Sequence, residues 1–375
     1  MPAKDAASLN PGLDRYRAID GLRFMAAIGI VLRHYAHFSD NRIWDMLFAK
    51  SYLFVDLFFV ISGFVITQAY AGAMQSSGDY RAFLQNRLAR IYPLHLLMFL
   101  AFLAIDVAAW THLYAPHAPH VYSPIQIVGN LLLVHAWGVT DGIWYNYPSW
   151  SISAEWMLYL LFPVVLLVLR RGGAIALLAL AALAMAALEL LNETGHLPSW
   201  TRWTYEFGFL RAVPTFLIGA ALCSCVGQSA LVFRSLAWPA GFFLAAVAAM
   251  LLQSNDCIII ALFVLTIASA TGAELAGARG VLTGPVMGRL GDCSYAVYMV
   301  HLLLGLALVQ GIGGRLLHLR GSALDVYILA CVVVLTGIAA LVYQYLELPA
   351  RRFFRHRAVA RTNPAQTITT LPNAG

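Results

Sequence analysis

Ten apolar runs, each close to the ~20 residues a helix needs to cross a hydrocarbon core, occupy nearly the whole of this 375-residue chain. With soft edges they fall at 20–38, 51–70, 91–110, 150–169, 174–191, 208–225, 236–252, 257–272, 293–312 and 326–347. The connections between them leave no room for a soluble domain. Only 11% of residues are charged and 61% are hydrophobic, whereas a soluble domain carries roughly a quarter charged residues. The chain therefore folds in lipid, where helices and closed barrels alone satisfy their backbone groups. Runs of this length select helices, so the expected fold class is all-α, a polytopic bundle of about ten spans. An eleventh run, "IQIVGNLLLVHAW" at 125–137, is too short to cross and reads as a re-entrant or interfacial helix.

Basic residues orient the bundle, because cytoplasmic loops collect Lys and Arg. With the N-terminus inside, 16 of the 24 Lys and Arg fall in cytoplasmic segments. That tally holds only if the 125–137 run does not cross; a full span there would put Arg170, Arg171 and the Arg-rich C-terminal end on the wrong side. The expected organisation is a cytoplasmic segment over 1–19, a transmembrane domain over 20–348, and a cytoplasmic, basic, disordered tail over 349–375. The expected orientation puts both termini in the cytoplasm. No cleavable signal peptide is read in the first run, which is too long and too polar for one. The net charge of +6 is mostly topology, and nucleic acid is not an expected partner. The five cysteines sit in or beside apolar runs without paired metal spacing, and His112, His117 and His120 show no ligand geometry, so no metal is expected.

Several ionisable residues sit where lipid should forbid them. In "IDGLRFMAAIGIVLRHYAHF", Arg23 and His34 are eleven positions apart, which puts them about 20° apart around a helix and roughly 16 Å apart along it. They share one face, with Arg23 at the cytoplasmic mouth and His34 deep in the membrane. Ionisable groups at such depth face a bundle interior or a polar cavity. Arg23 also reads as a snorkelling anchor and His34 as a hydrogen-bonded packing residue. Asp56, in the second span, is a nearby acid for His34. In "FLQNRLARIYPLHLL", Arg87 and Arg90 lie three apart on one helical face at the cytoplasmic surface. They are either topogenic arginines or, with Arg23, a cationic mouth for the phosphates of a nucleotide-like donor. In "YPSWSISAEWMLYLLFP", the aromatic belt accounts for Trp150 but not for Glu155, which is either an exposed helix-terminal charge or a partner for His34 or Arg211.

These stretches, with "FFVISGFVIT", "SYAVYMVH" and "YLELPARR", resemble the acyltransferase-3 family of bacterial envelope O-acyltransferases, in the family's order and across residues 17–352. The resemblance implies acyl transfer, commonly of acetyl, from a cytoplasmic acyl-CoA to hydroxyls of surface or secreted glycans. It implies that Arg23, His34, Arg87 and Arg90 are needed for activity. Many members carry a fused extracytoplasmic hydrolase-like domain; here the stand-alone form is expected. His34 is the expected general base, with Asp56 and Glu155 as acidic partners, since a neutral histidine suits proton abstraction near pH 7. Arg23, Arg87 and Arg90 are expected to hold the coenzyme, which is a substrate and not a permanently bound cofactor. Trp150, Ser153, Tyr159, Arg211 and His301 are expected to line the acceptor's side. His301 also reads as a rival base, or as a packing residue clustered with Ser294 and Tyr298.

A transporter or flippase is the alternative class, since it too can use intramembrane Arg, His and acidic residues as a substrate or proton path. The internal repeats common in transporters are not evident. The loop at 111–149 is rich in aromatics and histidine and has no Lys or Arg, which suits a neutral or lipid-linked sugar as acceptor and equally suits contact with membrane lipids. No G-x-S-x-G elbow supports a covalent serine relay.

Overall fold

The computed structural model describes residues 16–111, 123–195 and 198–354. Among them the architecture is wholly helical. The helices are α1 (Arg17–Ala36), α2 (Arg42–Phe48), α3 (Phe54–Tyr70), α4 (Ser77–Trp110), α5 (Pro124–Leu131), α6 (Trp150–Gly195), α7 (Gly208–Ser224), α8 (Val226–Val232), α9 (Ala237–Leu251), α10 (Asp256–Leu275), α11 (Pro285–Asp292), α12 (Ser294–Leu304) and α13 (Gly321–Val342). Wider π-helical turns continue α12 over Gly305–Leu316 and α13 over Tyr343–Glu347. The expected disordered tail from residue 362, and His112, His117 and His120, lie outside the described residues.

Six helical stretches among the described residues are long and apolar enough to cross a membrane. One of them, Tyr147–Gly195, breaks at Gly173 (φ 65°, ψ −164°), so it forms two rods. With α1, α7 and α9 the rods coincide with the ten expected intervals. α7 and α9 have 17 and 15 residues, short for a free-standing span, and α1 carries Arg17, Asp20, Arg23 and Arg33. The rod at 125–137 ends after eight residues at Leu131 and does not cross.

The most polar rod is well sheltered. α1 packs against α3, α10, α11 and α12, and Leu22, Ala26, Ala27, Ile30 and Val31 are almost wholly buried. The carboxylate of Glu274 receives the backbone N–H groups of Arg17 and Ala18 at 3.0 and 2.9 Å, so the otherwise unsatisfied donors of the first turn meet an anion. One end of the bundle carries both ends of the described chain. There Arg170 donates to the carbonyl of Met74 at 2.7 Å. At the opposite end the connections at 37–53, 123–149 and 198–207 interlock, with Asp256 accepting from Lys50 (2.5 Å), Tyr52 (2.6 Å) and Thr201 (2.5 Å).

Close helix approach comes from small residues. A Cβ at Gly63 of α3 would lie 2.0 Å from the carbonyl oxygen of Phe216, and one at Gly219 of α7 would lie 2.0 Å from that of Val60. The two backbones therefore touch reciprocally, as packing in lipid favours. Gly219→Val is expected to lower the melting temperature of the detergent-purified protein, since overpacking costs about 1–3 kcal/mol. An unchanged melting temperature would mean that α3 and α7 do not meet at this residue.

Candidate active site

His34 and His301 come from rods 267 residues apart and meet at their ring edges. Nδ1 of His34 lies 2.7 Å from Nε2 of His301, and the ring planes are parallel within 3° at a centroid separation of 4.9 Å. That separation suits two rings joined in line through the N···N vector, not stacked face to face. Nδ1 of His301 lies 2.6 Å from the carbonyl oxygen of Tyr298. A carbonyl only accepts, so this nitrogen carries a proton, and in a neutral ring Nε2 is then the acceptor. The hydrogen-bond network thus assigns the proton between the rings to Nδ1 of His34. Nε2 of His34 is left with its lone pair, 3.2 Å from the hydroxyl of Tyr147. His301 is fully buried, whereas His34 lines a cavity of about 150 Å³ together with Arg33, Tyr52, Trp150, Arg211 and Tyr298.

Asp56 is not a partner of His34. Its oxygens receive Nε of Arg211 at 3.2 Å and Nη2 at 2.6 Å, and both side chains are almost wholly buried. Arg211 donates also to the carbonyl of Tyr52 at 3.0 Å, and the ring of Trp150 lies 5.0 Å from its guanidinium carbon. Two charges in an apolar bundle neutralise each other before either can serve a third group. Arg211 and Trp150 thus form one wall of the His34 cavity. Ser153 lines neither cavity described here: its hydroxyl accepts from the backbone of Ala136 at 3.0 Å and donates to the carbonyl of Leu133 at 2.8 Å. It pins the loop after α5 onto α6, so its expected place beside an acceptor is corrected.

Glu155 and Tyr159 also face elsewhere than expected. They line a second cavity, of about 90 Å³, with Arg23, Arg87, Arg90 and Tyr295. Glu155 accepts a hydrogen bond from Ser62 and is neither an exposed helix terminus nor a partner of His34. Arg87 donates to the Tyr70 hydroxyl at 3.1 Å and lies over that ring, while its buried Nε has no hydrogen-bond partner. Arg23 sits 3.9 Å from Asp20. Glu347, in the last rod, bridges Arg351 at 2.7 Å and is electrostatically coupled to Arg90 and Arg23. The three expected arginines are therefore brought together on one cavity wall, at the end that carries both described chain ends.

Tyr298 lines both cavities. Its hydroxyl donates to the carbonyl of Pro148 at 2.8 Å and bonds Ser151 at 2.8 Å, so the partition between the arginines and His34 is one hydrogen-bonded ring. Beyond His34, Tyr52 and Arg202 connect its cavity with a third, of about 410 Å³, also lined by Lys50, Glu189, Asn255 and Asp256. Sequence reading missed Tyr147, Arg202, Glu347 and Arg351 as neighbours of these sites. "YLELPARR" flagged the last two only as part of a motif. Ser294, expected beside His301, instead donates to the carbonyl of Gly291.

Removing one member of the buried ion pair strands the other. Asp56→Ala is expected to cost about 3–5 kcal/mol, read as a lower melting temperature and a smaller monodisperse fraction in detergent. Melting at the wild-type temperature would take the pair out of the fold's supports.

The acyltransferase-3 family model, described as an acyltransferase domain, matches residues 16–343. Acyltransferase MdmB of Streptomyces mycarofaciens is 28% identical over 392 residues, spanning 96% of this chain and 98% of its own length. Protein 2 in the picA locus of Rhizobium radiobacter is 32% identical over 153 residues, 40% of this chain and 74% of that protein. O-acetyltransferase OatA of Staphylococcus aureus is 29% identical over 158 residues, 40% of this chain and 24% of OatA. No solved structure matches the chain. On a family match of this extent, around a histidine whose lone pair faces a cavity, the chain belongs to the acyltransferase-3 family and is a membrane O-acyltransferase.

Proposed function

We propose that this enzyme transfers an acyl group, acetyl first among the candidates, from acyl-CoA to a hydroxyl of a cell-surface or secreted glycan or a lipid-linked sugar, with His34 as general base. The observation that carries the reading is the Nε2 lone pair of His34, directed at a hydroxyl, that of Tyr147, 3.2 Å away. An acceptor hydroxyl approaching along the same line would give its proton to Nε2. Its oxygen would attack the thioester carbonyl carbon, the C–S bond would break, and the proton would pass from the imidazolium to the departing coenzyme thiolate. Ester and thiol are the products, and His34 returns to its starting state.

The donor side is supported by the second cavity. Arg23, Arg87 and Arg90 offer forked guanidinium donors to phosphate oxygens, and the unpartnered Nε of Arg87 is a donor that a phosphate would satisfy. The thin pantetheine arm would then run past Tyr298 toward His34, over roughly the 16 Å that separates Arg23 from His34 along a helix. The arginine end faces the cytoplasm in this reading, as basic residues prefer, so that the chain spans a bacterial inner membrane with both termini on the cytoplasmic side. The acceptor enters from the opposite end, through the polar cavity shared by Tyr52 and Arg202. The name of OatA, an O-acetyltransferase, supports acetyl over longer groups.

His34→Gln keeps volume and hydrogen bonding but removes the base. Acyl transfer per folded molecule is expected to fall 10²–10⁴-fold with the protein still monodisperse. In the wild type, activity should decline on the acid side, because a protonated His34 has no lone pair to offer. A His34→Gln protein with more than roughly a tenth of wild-type activity would overturn the assignment. Arg87→Ala is expected to weaken binding of acetyl-CoA to membrane preparations with expression unchanged; equal affinity would return Arg87 to a role in topology.

A further inference from the structure

His301 lines none of the three cavities, yet it holds the nitrogen of His34 opposite the one that faces Tyr147. We infer that His301 is a positioning residue that fixes His34 in the Nδ1–H tautomer, so that Nε2 presents a lone pair to the acceptor. The inference rests on His34 being the base and adds what makes it one. A neutral histidine ring left to itself favours the Nε2–H form, which would point a proton at the acceptor where a lone pair is needed. The tautomer present is set by the hydrogen bond made at the other nitrogen.

The chain of contacts runs one way. The carbonyl of Tyr298, 2.6 Å from Nδ1 of His301, can only accept, and this holds the His301 proton on Nδ1. Nε2 of His301 is then an acceptor aimed along the ring plane at Nδ1 of His34, 2.7 Å away with the two rings parallel within 3°. In-line, coplanar geometry is what an imidazole lone pair requires, and it fixes the orientation of the His34 ring as well as its proton. Tyr35 supports the helix that carries His301: its hydroxyl donates to the carbonyl of His301 at 2.9 Å. When His34 takes the acceptor's proton, its Nδ1–H faces a neutral acceptor, so the imidazolium stays hydrogen-bonded inside the membrane. An oriented carboxylate performs this office in serine hydrolases; a neutral imidazole does so here without burying a second charge.

Two readouts test this, one of them independent of turnover. In detergent-solubilised protein labelled with ¹⁵N-histidine, the signals lost in His34→Gln identify His34. In the wild type they are expected to show a protonated Nδ1 and an unprotonated Nε2; a protonated Nε2 in the neutral ring would overturn the inference. In His301→Ala the same ring is expected to move toward the Nε2–H form, and kcat for acetyl-CoA consumption is expected to fall about 10²-fold or more with KM for acetyl-CoA unchanged. His301→Gln, whose side-chain oxygen only accepts, is expected to retain the Nδ1–H form and to exceed His301→Ala in kcat. Full activity in His301→Ala with none in His34→Gln would sink the positioning role and leave the base intact. Activity in His34→Gln would instead sink the base. If His301→Ala fails to fold, the wild-type tautomer and the His301→Gln protein still decide the matter.

Discussion

A helix carrying Arg23, Arg33 and His34 survives inside a bilayer only if other helices take its polar face, and the arrangement of this bundle follows from that constraint. Lipid offers no hydrogen bonds, so each polar group of α1 must be met by protein. His34 is met by His301 and Tyr147, Arg33 by the carbonyls of Phe48 and Ala49, and the first-turn N–H groups by Glu274. Phe48 and Ala49 follow closely in the chain, but His301, Tyr147 and Glu274 come from distant segments, and α1 packs against α3, α10, α11 and α12 to reach them. The same satisfaction of polar groups that makes α1 tolerable also assembles the site.

Charge is handled differently in the two halves of the molecule. Around His34 the acid and the base of the buried Asp56–Arg211 pair cancel each other and the pair works as a wall, while Arg33 and Arg202 line the same cavity. At the opposite end Arg23, Arg87, Arg90 and Arg351 outnumber Glu155 and Glu347, so that cavity keeps an excess of positive charge. A polyanion gains most where cations are pre-assembled and already desolvated. The single tyrosine between the halves, Tyr298, serves three roles through different atoms: its ring divides the cavities, its hydroxyl anchors Pro148 and Ser151, and its carbonyl orients His301.

Much of the fold is legible in the sequence, because a membrane reduces the choice of structure to runs of apolar residues and the charges that flank them. Arg23, Arg87 and Arg90 could be grouped in advance because helical spacing and membrane level are one-dimensional quantities. Asp56 and Glu155 could not be allotted, since either acid lies at a plausible depth for His34. Their partners depend on which rods are neighbours and how each is rotated. Ser153 looked like a site residue because it shares a motif with Trp150 and Glu155, but one position along a helix turns a side chain about 100°, and Ser153 faces the α5 loop.

By itself the sequence determined the solvent, the helical class and the approximate extent of the rods. These follow from hydropathy and from the rise per residue, which are properties of a single segment. Only the tertiary structure decided that His34 meets His301 across 267 positions, that Arg211 takes Asp56, and that Tyr298 stands between two cavities. Hydrogen bonds between rods depend on contact within a few tenths of an ångström and on direction, and neither is encoded in the spacing of residues along one helix.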